Sequence, residues 1–108
     1  MKPLAEQHCT PLHAGSPALD HDEASELLAQ IPGWSITGSM IARDFTFSDF
    51  FGTMAFVNAV AWIAHREDHH PELVVGFDHC EVRYSTHSVG GLSINDFICA
   101  AKIEALSV

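Results

Sequence analysis

At 108 residues the chain is long enough for one hydrophobic core and well short of the few hundred residues at which chains divide into several. A hydrophobic share of 47% against 18% charged excludes a globally disordered polymer. Five Lys and Arg against fourteen Asp and Glu give a net charge of −9, which argues against nucleic acid and against an anionic membrane surface as partners.

The three cysteines, Cys9, Cys80 and Cys99, are odd in number and form no Cys-x-x-Cys, so reduced thiols in a cytoplasmic protein are expected. No basic, apolar and cleavage-site sequence marks a secretory signal. The longest apolar-rich stretch, Phe50 to Ala64, is shorter than the ~20 residues that span a bilayer.

Residues 1–18 carry Pro3, Pro11, Gly15 and Pro17 without apolar periodicity, and read as a flexible N-terminal extension to a domain over 19–108. His8, Cys9 and His13 would make an incomplete metal site on such a segment. A helix opens at Asp20 or His21, with Asp22 and Glu23 in its first turn, and carries Ala24, Leu27, Leu28 and Ile31 at helical spacing as far as Pro32-Gly33. A hairpin follows. Trp34 to Ile36 begins one strand, Gly38-Ser39 turns, and Met40 to Phe47 forms the second, with Ile41, Arg43, Phe45 and Phe47 on one face.

Ser48 is the expected cap of a helix running to about Glu67, with Asp49 in its first turn. Phe50, Met54, Val57 and Ala61 lie along one face of it, Phe56, Val60 and Ile63 along another, and Trp62 adds to the width. A helix apolar on most sides needs more than one cover, so a homodimer or homotetramer through residues 48–67 is expected. Pro71 stops the helix; strands over Glu72 to Phe77 and His79 to Thr86 follow. Ser93 with Asp96 three residues later approaches a capping box for a last helix through Ile94, Phe97, Ile98, Ala101 and Leu106. The expected fold is an α+β two-layer sandwich, α-β-β-α-β-β-α, with helices on one face of an antiparallel four-stranded sheet.

Candidate chemistry gathers at element ends: His69-His70 before Pro71, Ser85-Thr86-His87, and Asp96. Histidine can give or take a proton near neutral pH, which makes the three imidazoles acid–base candidates. Taken singly each has a plainer explanation, Asp96 as a helix cap and one of the paired histidines as a core residue.

Together, His69-His70-Pro71, Phe77, Ser85-Thr86-His87, Gly91-Leu92 and Asp96 resemble the signature of the pterin-4a-carbinolamine dehydratases. The likeness extends back through Pro32-Gly33-Trp34, the Phe45 to Phe50 run and Asn58-Ala59-Val60, and covers roughly residues 19–104. It implies dehydration of a 4a-hydroxytetrahydropterin to quinonoid dihydropterin, recycling the pterin of aromatic amino-acid hydroxylases, one of which is then a possible partner. It implies no metal and no cofactor. By the same analogy His69, His70, His87 and Asp96 form the catalytic set. His69 and His87 would move protons, His70 would bind and orient the pterin, and Asp96 would orient or charge-stabilise a histidine. Asp68, Ser85 and Thr86 would border the pterin, with Trp34 as an apolar wall. His65 stands where the family often has glutamate.

Two other readings compete. His65 and His69, four apart, would share a helix face and could form a metal site with His87 or Asp96. The wide apolar helix would also suit a non-catalytic dimerisation or assembly module. Cys80 and Cys99 fall at apolar-patterned positions and read as packing residues.

Overall fold

The computed structural model describes residues 2–106. Helix α1, His21–Leu28, begins with a reciprocal cap: Asp20 Oδ1 accepts the Glu23 N–H at 2.8 Å and Glu23 Oε1 accepts the Asp20 N–H at 3.0 Å. After a turn that drops Ile31 into the core, Gly33 adopts φ +98°, and a Cβ there would stand 2.5 Å from Arg43 Nη1. Glycine is favoured at this position by its conformation, and a larger residue would also push the Arg43 guanidinium aside.

Strands β1 (Ser35–Thr37) and β2 (Met40–Thr46) form the expected hairpin. Helix α2, Phe50–Glu67, is capped by Asp49 and not by Ser48, because the Asp49 carboxylate is the group that accepts the Gly52 N–H, at 2.8 Å. Strands β3 (Glu72–Val75) and β4 (His79–Tyr84) are each two residues shorter than expected. The Gly76 N–H closes the turn onto the His79 carbonyl, and the Thr86 N–H bonds locally to the Gly91 carbonyl. Helix α3, Ile94–Glu104, is the last element among the described residues.

All pairings are antiparallel, in the order β1-β2-β4-β3. Ile41 lies opposite Tyr84, Arg43 opposite Val82 and Phe45 opposite Cys80. The period-2 pleat thus turns Ile41, Cys80, Val82 and Tyr84 to one face, where they are buried with Phe56 and Val60 of α2 and Phe97 and Ile98 of α3. The other face carries Arg83, bonded to Glu72 and Glu81. The fold is the α+β sandwich that the sequence predicts.

The N-terminal stretch departs from expectation. It has little regular structure, yet Leu4 is buried in the core and Lys102 Nζ donates to the Ala5 carbonyl at 2.9 Å. The Cys9 N–H donates to Glu67 Oε1 at 2.7 Å, and Thr10 exchanges two hydrogen bonds with the Asn95 side chain. Read as a flexible extension, the segment instead lies along α2 and α3 as a strap. Its anchors are backbone groups meeting distant side chains, which leave no periodic trace in a sequence.

Helix α2 buries Thr53, Phe56, Val60 and Ala64. On its other side Phe51, Ala55, Asn58, Trp62 and His65 are exposed, Phe51 at 83% and Trp62 at 60%. Among the described residues no helix is long and apolar enough to cross a membrane.

Candidate active site

Helix α2 ends because Asp68 takes a left-handed conformation, φ +50°, the one positive φ outside glycine among the described residues. Short polar Asp tolerates that region, and the His69 N–H then reaches back to the Ala64 carbonyl at 3.1 Å. His69 and His70 consequently leave the helix axis in different directions.

His69 turns inward. Its ring stacks on Tyr84, centroids 5.1 Å apart, and the Tyr84 hydroxyl donates to the His69 carbonyl at 3.1 Å. Nε2 lies 2.6 Å from Asp96 Oδ1. The Asp96 side chain has no exposed surface; its second oxygen accepts the Thr86 hydroxyl and the Ser93 N–H, both at 2.9 Å. With the Thr86 proton committed to Asp96, Ser93 Oγ donates to Thr86 Oγ1 at 2.6 Å and accepts the Asn95 N–H. One carboxylate therefore caps α3 and holds an imidazole.

A carboxylate can only accept, so Nε2 of His69 carries a proton. Nδ1 has no partner among the described residues, and no buried side-chain nitrogen there is left unpaired, so Nδ1 reaches the surface. Burial disfavours the His69 cation, but the hydrogen bond and charge of Asp96 outweigh it, and the imidazole pKa is raised above its ordinary value.

Two hollows border these residues. One, of about 360 Å³, is lined by Asp68, His69 and Thr86, with Asn95 below and strap residues Cys9 to Leu12 as its opposite wall. The second, of about 450 Å³, is lined by His70, Tyr84, Ser85 and His87. His87 lies in the short 3-10 turn His87–Val89 just past β4 and is exposed, as are His70 and Ser85. Sequence-predicted residues thus split between adjoining hollows that share the 69–70 and 85–87 backbone.

Two expectations need correction. Trp34 lines neither hollow: it is buried, its Nε1 donates to Glu104 Oε1 at 2.7 Å, and its ring meets Phe45 edge-on. His65 and His69 do not share a helix face, because the left-handed Asp68 intervenes, and His65 lies against Trp62 instead. Among the described residues no three His, Cys, Asp or Glu side chains are grouped to hold a metal ion. Sequence reasoning missed Tyr84, Asn95 and the strap, none of which carries a local signal.

The protein is thus of the class of open-faced α+β sandwiches with an imidazole–carboxylate couple at the helix side of the sheet. Residues 17–106 match the family model for pterin 4 alpha carbinolamine dehydratase. The chain is 52% identical over 103 residues to a protein of Nitrosospira multiformis, covering 95% of this chain and 91% of the relative. It is 56% identical over 107 residues to one of Stenotrophomonas maltophilia, covering 97% and 92%. Both relatives are provisionally named pterin-4-alpha-carbinolamine dehydratases. A crystal structure described as a transcriptional coactivator/pterin dehydratase from Brucella melitensis superposes with a TM-score of 0.78 at 32% identity, covering 82% of this chain and 96% of that one. A pterin dehydratase-like RuBisCO assembly factor of the alpha-carboxysome, at 20% identity and TM-score 0.55, shares the fold. This chain belongs to the pterin 4 alpha carbinolamine dehydratase family.

Proposed function

We propose that this protein removes water from a 4a-hydroxytetrahydropterin, giving the quinonoid dihydropterin and so returning the pterin used by an aromatic amino-acid hydroxylase. The observation that carries the reading is the His69–Asp96 couple, a raised-pKa imidazole held at 2.6 Å by a fully buried carboxylate. Loss of water requires a proton for the departing hydroxyl and removal of one from a ring N–H, so that the C–O bond breaks as C=N forms. His69 is suited to the first task, because Asp96 favours its cationic form. His87 takes the ring proton, and His70 with Ser85 orients the pterin edge. His69 lines one hollow and His70 with His87 the other, so the pterin is proposed to lie where the two meet at the 69–70 and 85–87 backbone. Asp96 and Thr86 position His69, and Asp68 shapes the rim.

The test follows breakdown of a 4a-hydroxypterin with and without the protein, at a pH where spontaneous dehydration is slow. Acceleration by the wild-type chain is expected, falling on the order of 10²–10⁴-fold in His69→Ala. A rate equal to the uncatalysed one would end the proposal.

The outward stripe of α2 supports a second element of the reading, a homo-oligomer. Residues 51, 55, 58, 62 and 65 alternate steps of four and three, the spacing of a seam between helices, and Phe51 and Trp62 stand exposed on it. We place a second copy there, and the protein in the cytoplasm. Trp62→Glu should release monomers in sedimentation, and a wild type already monomeric at micromolar concentration would refute the interface.

A further inference from the structure

The strap meets the core at one further point. Cys9 Sγ lies 3.6 Å from Cys99 Sγ, across ninety residues of chain. The two thiols differ in access. Cys9 is half-buried and lines the His69 cleft, whereas Cys99 has no exposed surface in α3. Their surroundings are fixed on both sides. Cys9 is bracketed by the Glu67 carboxylate on its own N–H and by the Thr10–Asn95 hydrogen bonds one residue on. Cys99 follows Asn95 by one helical turn, on the helix that Asp96 begins.

We propose that Cys9 and Cys99 are a reversible oxidation site, a dithiol that a peroxide converts to an intramolecular disulfide, locking the strap over the candidate active-site cleft. Peroxide reaches the Cys9 sulfur through the cleft. The O–O bond breaks, Cys9 becomes a sulfenic acid, and one water leaves. The Cys99 sulfur then attacks the Cys9 sulfur, the S–O bond breaks, and hydroxide departs with the thiol proton as a second water. Two thiols lose two electrons and the peroxide gains them.

The sulfurs must close by about 1.5 Å, which rotation of the Cys9 side chain and a small settling of the strap can supply. Access, not electrostatics, selects Cys9 for the first step, since its bond to Cys99, its burial and the Glu67 charge push its own pKa far above the ordinary thiol value. In the reduced pair the Cys9 thiol bond lowers the Cys99 pKa against burial, with help from Tyr84 and the His69 charge; the last two persist once Cys9 is a sulfenic acid and favour attack by Cys99. Cys80 is buried in the core on β4, where its sulfur's one hydrogen-bond partner among the described residues is the Glu81 carbonyl, so it serves as an internal control.

The experiment oxidises the full chain with a slight excess of hydrogen peroxide, alkylates remaining thiols, and maps peptides without reduction. A Cys9–Cys99 peptide pair within one chain is expected, with Cys80 alkylated. The thermal midpoint should rise on the order of 10 °C, since the cross-link closes nearly the whole chain, and dithiothreitol should reverse the rise. The amides of Cys9, Thr10 and Leu12 should exchange at least roughly tenfold more slowly in the oxidised form. In Cys9→Ser the cross-link and all these shifts should vanish. Cys9 alkylated and unreacted, Cys9 overoxidised to sulfinic acid beside a free Cys99, or a disulfide between chains would each overturn the proposal. The wild-type peptide map decides the matter even if a variant folds poorly.

Discussion

Replacing Asp96 by Asn keeps the side chain's shape and removes its charge, and the hydrogen bonds around it fix what must follow. Oδ2 accepts from both Thr86 and Ser93, so the carbonyl of the new amide must stay on that side, or two buried donors lose their acceptor. The NH₂ then faces His69 Nε2 at the site of the 2.6 Å bond. Two N–H donors cannot face each other, so the His69 proton must move to Nδ1, the nitrogen open to the surface. The variant loses one charge-assisted bond worth about 1.5–3 kcal/mol and gains a neutral one worth about 1, for a net loss of about 0.5–2 kcal/mol. Burial of His69 is then opposed only by the charges of Cys99 and Asp68, and its pKa should fall from its wild-type position. Turnover should drop at least on the order of 10²-fold, with the pH–rate profile displaced toward acid. Ring-proton NMR titration of His69 in both proteins, beside denaturant unfolding, measures each part. A His69 titration midpoint unchanged in Asp96→Asn would refute the assignment of Asp96 as its positioning residue.

Other expectations are simpler. Trp34→Phe removes the indole bond to Glu104 and should cost about 1–2 kcal/mol in denaturant unfolding while leaving turnover alone, since Trp34 lines neither hollow. His87→Ala should lower dehydration on the order of 10²–10⁴-fold with an unchanged thermal midpoint, because the side chain is exposed. An unaffected rate would remove it from the mechanism. Stability should also depend on pH at both ends. The raised His69 pKa contributes stability that is full below the unfolded value of about 6.5 and is lost as pH rises through the folded value. Glu67 works oppositely. Burial alone would raise its pKa, but the Cys9 N–H, His8 and Lys102 lower it, so its contribution is present above about 4.3 and is lost as pH falls through the folded value. Urea midpoints measured across pH should decline on both flanks, and the alkaline decline should disappear in Asp96→Asn.

How much of this was legible beforehand depends on the range of each interaction. Alternation in Ile41 to Phe45 and in Cys80 to Tyr84 gave the buried sheet face, since a strand's period is set by its own residues. The Ser93–Asp96 cap was equally local. That the same carboxylate also grips His69 depends on two elements meeting, which no short window contains. The likeness of helix spacing between His65 and His69 misled, because one left-handed Asp broke the geometry the spacing assumes. Trp34 likewise bonds to Glu104, seventy residues away, and so sits in the core and not at the cleft. The strap was invisible because a single buried leucine makes no pattern.

The dual duty of Asp96 has a consequence for how this protein would fail. Its carboxylate is at once the starter of the terminal helix and the clamp on the reactive ring, so fraying of that helix start must free the imidazole. On the proposed mechanism, activity then reports on the integrity of that one buried turn separately from the overall secondary structure. Turnover would act as a local thermometer for one helical turn.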